Sequence, residues 1–131
     1  MTATIAPFGL SQIAQIALTV KDLPAAIAFY RDTLGMRFLF EAPPSMAFFD
    51  CAGIRLMLGL PERPEFDHPA STFYYRVDDI HGAAKTLAAR GVAFEGDPHV
   101  VARLPHADLW MAFFRDMDRN LLALSSEVAR T

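Results

Sequence analysis

The chain says nearly the same thing twice. A first segment, Gln15-Ile16-Ala17-Leu18-Thr19-Val20-Lys21-Asp22-Leu23, leads through an alanine-rich stretch to Leu34-Gly35-Met36-Arg37-Phe38. A second, Thr72-Phe73-Tyr74-Tyr75-Arg76-Val77-Asp78-Asp79-Ile80, leads through another to Arg90-Gly91-Val92-Ala93-Phe94. Asp22 and Asp79 lie 57 positions apart and Gly35 and Gly91 lie 56 apart, so one deletion aligns the halves. Each half has the same grammar. Residues 13–20 and 72–77 are β-branched or aromatic runs, hence strands. Asp22 and Asp79 are placed to cap a helix through their carboxylates, and Pro24 sits in the first turn, where a missing N–H costs nothing. Leu23, Ile27, Tyr30 and Leu34 recur at helical spacing, as do Ile80, Ala84 and Leu87. Gly35 and Gly91 then supply the left-handed residue that ends a helix.

Three strands follow each helix: roughly 36–42, 46–50 and 54–60, then 92–95, 108–115 and 120–126. Residues 61–71 hold three prolines and connect the modules. Residues 97–107 read as a long loop, and such loops in compact domains are often functional, which makes this one a candidate lid. The whole is α+β: one domain over residues 1–131, with module one about 12–60 and module two about 72–126. Hydrophobic residues make up 53% of the chain, which supports a real core and excludes general disorder. A net charge of -3 offers no basic face for phosphates, which argues against nucleic acid. No apolar run approaches the roughly 18 residues of a membrane span, and residues 1–7 read as an arm or tail, not a signal peptide. The single cysteine, Cys51, forms no internal disulfide, so the chain is expected in the cytoplasm.

"IALTVKDLPAAIAFYRDTLGMRF", "YYRVDDIHGAAKTLAARGVAF" and "WMAFFRDMDRNLLAL" together resemble the vicinal oxygen chelate superfamily. It includes glyoxalase I, extradiol dioxygenases, methylmalonyl-CoA epimerase, fosfomycin-inactivating enzymes and bleomycin-binding resistance proteins. The resemblance spans residues 12–126 and implies two βαβββ modules forming a partly open mixed barrel with its ligand on the concave face. It does not select an activity, because the fold hosts lyases, isomerases, dioxygenases and simple binders. Strand alternation then points Gln15, Ala17, Thr19, Thr72, Tyr74 and Arg76 at the cavity.

The resemblance also locates the metal ligands of the metal-using relatives. Their positions are held here by Gln15, Met57, Thr72 and Ala123, where His or Glu would stand. An amide, a thioether, a hydroxyl and a methyl group do not make a centre for a divalent ion, which wants imidazole or carboxylate donors. No metal or other cofactor is therefore expected. His99 and His106, in the long loop, are the candidate acid–base groups; as metal ligands they are outweighed by ordinary solvent-exposed or hydrogen-bonded roles. Gln15 serves equally well as a cross-strand hydrogen bond or a ligand anchor. Phe48, Met57, Tyr74 and Trp110 form a pocket wall or fill the core, the latter being the commoner fate of such residues. Arg55 and Arg76 have the parity to face the cavity and need an acidic neighbour, the commoner outcome, or an anionic ligand group. Asp116, Asp118 and Asn120 fit a turn rather than a calcium loop. In the relatives' commoner "DPxGN" turn, Arg119 replaces glycine. Either Arg119 takes a glycine-like conformation or the turn is shifted.

The expected function is a small-molecule binder that works without metal, as a homodimer. Two alternatives stand beside it: a metal-dependent lyase, isomerase or dioxygenase with a displaced site, and a non-catalytic structural dimer.

Overall fold

Period-2 alternation gives each strand one apolar and one mixed face, and a helix covers the apolar one. The computed structural model describes residues 8–9, 11–61, 64–68 and 71–130; the tail expected at residues 1–7 lies outside them. Strand β1 (Gln15–Thr19) leads to α1 (Leu23–Ala28), which widens into a π-helical segment (Phe29–Thr33). Strands β2 (Arg37–Ala42), β3 (Met46–Cys51) and β4 (Ile54–Gly59) complete the first module. A 3-10 turn at Pro64–Phe66 lies between the modules. The second runs β5 (Phe73–Arg76), α2 (Ile80–Ala89), β6 (His99–Arg103), β7 (Asp108–Arg115) and β8 (Leu121–Val128).

The caps and stops fall where the residue types demand them. The Asp22 carboxylate accepts the Ala25 N–H at 3.1 Å, and Asp79 accepts that of Gly82 at 3.0 Å. Gly35 and Gly91 end the two helical segments at φ +74° and +95°.

The sheets repeat one another, with orders β1-β4-β3-β2 and β5-β8-β7-β6. In each, the first strand pairs parallel with the last, and the remaining pairings are antiparallel. The outermost strands even carry matching irregularities, between Phe38 and Phe40 in β2 and between Val100 and Ala102 in β6. A bulge on an edge strand twists it away from unwanted pairing.

Two expectations are corrected. Residues 92–95 are not a strand: Val92 is buried, and Phe94 makes one isolated bridge to Phe114. The strand lies later, at His99–Arg103, inside the segment read as a lid. Val100 and Val101 supply its β-branched content, and its pairing with β7 leaves only a tight turn, closed by Leu104 N–H donating to the Ala107 carbonyl at 2.8 Å. The described strands form two separate four-stranded sheets.

One apolar cluster joins the modules on their helix-covered sides. Leu18, Leu56 and Leu58 from the first sheet share it with Phe114, Leu122 and Leu124 from the second and with Ile27, Tyr30, Ile80 and Leu87 from the helices. Across the junction, the Tyr30 hydroxyl donates to Asp116 Oδ2 at 2.9 Å. The same carboxylate accepts Asn120 Nδ2 at 2.9 Å, and the backbone N–H groups of Asn120 and Asp118 at 2.8 and 2.9 Å. Lys21 N–H, which precedes α1, reaches Asp118 Oδ2 at 3.1 Å. The β7–β8 turn thus clamps the first module to the second.

Within that turn Arg119 adopts φ +67°, so the turn is not shifted; Arg119 takes the glycine-like conformation. Left-handed backbone costs an ordinary residue about 1 kcal/mol. Its carbonyl accepts a hydrogen bond from Arg115 Nη1 at 3.0 Å, which glycine would retain, and its side chain makes none to the described residues. Arg119→Gly is therefore expected to stabilise the chain by about 0.5 kcal/mol after the added freedom of the unfolded chain is subtracted. Chemical denaturation midpoints for the two proteins check this.

Candidate functional site

The faces turned away from the helices are the candidate site, and both stand open. On the first sheet Gln15, Ala17 and Arg55 are exposed. The register sets Gln15 beside Arg55 and Ala17 beside Met57, with Phe48 next to Met57 on the following strand. Gln15 Nε2 approaches Met57 Sδ at 3.8 Å, a weak contact. The Arg55 guanidinium lies over the Phe48 ring, 5.8 Å from its centroid. Phe40, 48% exposed, packs on Phe48 with centroids 4.7 Å apart. Beside this platform Ala17, Thr19, Met46 and Met57 line a recess of 270 Å³.

On the second sheet the corresponding face carries Tyr74, Arg76, Phe113, Ala123, Ser125 and Glu127. Tyr74 is 53% exposed and meets the Phe113 ring edge-on at 6.4 Å. Ala123 is fully buried, and the register sets Tyr74 and Phe113 on either side of it. Arg76 is exposed and opposite Ser125, and no acidic side chain among the described residues pairs with it. Tyr74, Arg76, Asp78, Ser125 and Glu127 border an open, polar cleft of 480 Å³.

The two histidines behave differently. His99, on β6, lies 6.4 Å from Phe113 by ring centroids. Its Nδ1 is 3.0 Å from the Asp97 carbonyl oxygen. A carbonyl can only accept, so Nδ1 carries the proton and, in the neutral ring, Nε2 keeps a lone pair for another group. His106, in the β6–β7 turn, is tied through Nε2 to Glu127 Oε1 at 2.6 Å. His99 is thus arranged to offer a ring nitrogen, whereas the His106 ring is engaged by Glu127 at the rim.

Not every expected wall residue reaches these faces. Trp110 shares its side of β7 with buried Ala112 and Phe114, and its ring stands edge-on to His81 of α2 at 5.1 Å. It belongs to the helix-covered side, which corrects its expected place in the pocket. Thr72 is half-buried beside β5 in a separate small recess with Ile16, Cys51 and Ile54. The structure brings Gln15 and Met57 together and Ala123 beneath Tyr74 and Phe113. Phe113, Ser125 and Glu127 were missed, although alternation from Ala123 and Met111 marks all three.

The donors at the relatives' metal positions do not fit a divalent ion, being amide, thioether, hydroxyl and methyl. Among the described residues no three His, Cys, Asp or Glu side chains gather where an ion would be held. Asp108, a conceivable member of a displaced site, is held by Arg130 Nη1 at 2.7 Å. Cys51 is no nucleophile: burial first, then the neighbouring Asp50 charge, push its thiol pKa up. No helix among the described residues is long and apolar enough to cross a membrane.

Comparison with known proteins agrees with this architecture. A glyoxalase/bleomycin resistance protein/dioxygenase superfamily member from Sphaerobacter thermophilus DSM 20745 is 28% identical, with a TM-score of 0.72 over 90% of this chain and 98% of that one. A lactoylglutathione lyase from Agrobacterium tumefaciens is 25% identical, with a TM-score of 0.71 over 90% and 95%. An integron cassette protein from the mobile metagenome of V. cholerae, 20% identical, shares the fold with a TM-score of 0.76 over 92% and 98%. No curated protein matches the sequence. The family description Glyoxalase/Bleomycin resistance protein/Dioxygenase superfamily matches residues 12–124, and with its fold and strand register on the page, the chain belongs to that superfamily.

Proposed function

We propose that this chain binds small molecules with an apolar or aromatic body and an anionic group on its open sheet faces, without a divalent metal, and that a second copy of the chain covers those faces. The observation that carries this reading is that each open face combines an exposed aromatic ring with an arginine: Phe40, stacked on Phe48 beneath Arg55, on one sheet, and Tyr74, against Phe113, with Arg76 two positions along the same strand on the other. Aromatic rings give area and shape, and Arg orients a carboxylate, sulfonate or phosphate. A ligand site is normally concave and buries most of its ligand, whereas these faces stand open in the single chain. That supports a homodimer, with β2 and β6 at the rims. One half-buried free thiol suits a reducing cytoplasm.

A second reading, turnover without metal, is favoured by His99, which stands beside Phe113 with Nδ1 on the Asp97 carbonyl and no described residue bonded to Nε2. A metal-dependent lyase, isomerase or dioxygenase is the rival that the donor set disfavours.

Fluorescence titration with 1-anilinonaphthalene-8-sulfonate tests the reading, since that probe combines an aromatic body with an anion. Saturable binding is expected to survive chelator treatment and to weaken about tenfold in Arg76→Gln, the loss typical of one charge-assisted hydrogen bond. Sedimentation should give the mass of a dimer. Binding that vanishes with chelator, or about one tightly held transition metal per chain by elemental analysis, would return the metal-dependent reading. Absence of any saturable binding would leave only the structural dimer.

A further inference from the structure

Another recess lies on the opposite side of the sheets, at the junction of the modules. Leu34 and Met36, at the end of the first helical segment, face Leu87 of α2 and Phe114 and Leu124 of the second sheet across a cleft of 330 Å³. Its walls are mainly apolar, and its size falls within the range of small-molecule pockets. At roughly 30 Å³ per heavy atom, the share of a liquid water molecule, it has room for about ten.

The cleft has one charged corner. Arg90, which ends α2, also lines it and reaches across the junction, where its Nη1 donates to the Thr33 carbonyl at 3.0 Å. A single neutral acceptor leaves most of a guanidinium's five N–H groups uncommitted. No carboxylate among the described residues neutralises Arg90. A positive charge at the edge of an apolar recess complements a ligand with the opposite layout: a hydrocarbon body ending in an anion.

We propose that this junction cleft is a binding site for a medium-chain monocarboxylate. Its chain lies among Leu34, Met36, Leu87, Phe114 and Leu124, and its carboxylate sits on the Arg90 guanidinium. The site is independent of the sheet faces, so it stands or falls apart from the function proposed for them.

Isothermal titration with octanoate, which has ten heavy atoms, provides the test. Saturable binding is expected with a Kd of about 1 mM or tighter, within reach of a ligand that size. Arg90→Gln should weaken octanoate about tenfold while leaving 1-octanol unchanged. Arg76→Gln, on the remote sheet face, should leave the octanoate-dependent changes at the cleft residues Met36, Ala83 and Thr86 intact. Amide shifts in the wild-type protein give the location without any variant: octanoate should move Met36, Ala83 and Thr86. Failure to saturate, equal octanoate affinity in Arg90→Gln, or shifts confined to residues such as Met111 and Ser125 would each overturn the proposal.

Discussion

Asp116→Ala should cost about 3 kcal/mol or more of folding stability. The Asp116 carboxylate is 6% exposed and accepts four hydrogen bonds, from the Tyr30 hydroxyl, the Asn120 amide, and the backbone N–H groups of Asp118 and Asn120. Removing it strands buried donors, each worth about 1–3 kcal/mol when left unmade. The loss is not merely local, because Tyr30 belongs to the first module and Asp116 to the second. Tyr30→Phe removes one donor and no acceptor, so it should cost only about 1 kcal/mol. Urea denaturation of the three proteins measures both values. A loss below 1 kcal/mol in Asp116→Ala would mean the clamp contributes little.

High pH should unfold the chain through the same junction. Burial, then the Asp116 charge, raises the pKa of Tyr30 far above its ordinary value of 10.0. Burial, followed by Cys51 and Asp116, raises that of Tyr75. The sign follows from linkage. A raised folded-state pKa means the native chain holds its phenolic protons where the unfolded chain releases them. The stabilisation is complete below about pH 10 and lost as pH rises above it. Each tyrosine contributes a slope of about 1.4 kcal/mol per pH unit, so the pair should give nearly double that. Tyr30→Phe should halve the slope. Denaturation midpoints between about pH 9 and pH 11 provide the measurement, and an unchanged slope in the variant would contradict the assignment.

The parts of this fold that the sequence states openly are those governed by neighbours along the chain. A carboxylate three residues before an N–H in need of a partner, or a glycine after the last helical turn, is a local instruction, and Asp22, Asp79, Gly35 and Gly91 obey it. Alternation likewise sorts Gln15 and Tyr74 from Ile16 and Tyr75. Strand β6 escaped notice because Asp97-Pro98 and Pro105-His106 frame it with turn formers, which hides Val100 and Val101. Residues 92–95 misled in the opposite way: Val92 is buried and Phe94 half-buried by tertiary packing, with one isolated bridge in place of a ladder. Trp110, left between pocket wall and core by its residue type alone, takes the core side because buried Ala112 and Phe114 fix its side of β7. The partnership of Tyr30 with Asp116 spans 86 residues, and no spacing rule foretells it. The repeat announces two modules, yet it is silent on which of their surfaces meet.

Alternation along the strands has a consequence for how such a chain can change. Leu18, Leu56, Leu122 and Leu124 hold the molecule together from one side of the strands that present Gln15, Arg55, Tyr74 and Arg76 on the other. Substitution at an exposed position usually moves stability by no more than about 0.5 kcal/mol. The two sets of alternating positions along each strand are therefore under nearly separate constraints. A lineage can discard one recognition chemistry at Gln15 or Met57 and try another, while the architecture that carries it stays untouched.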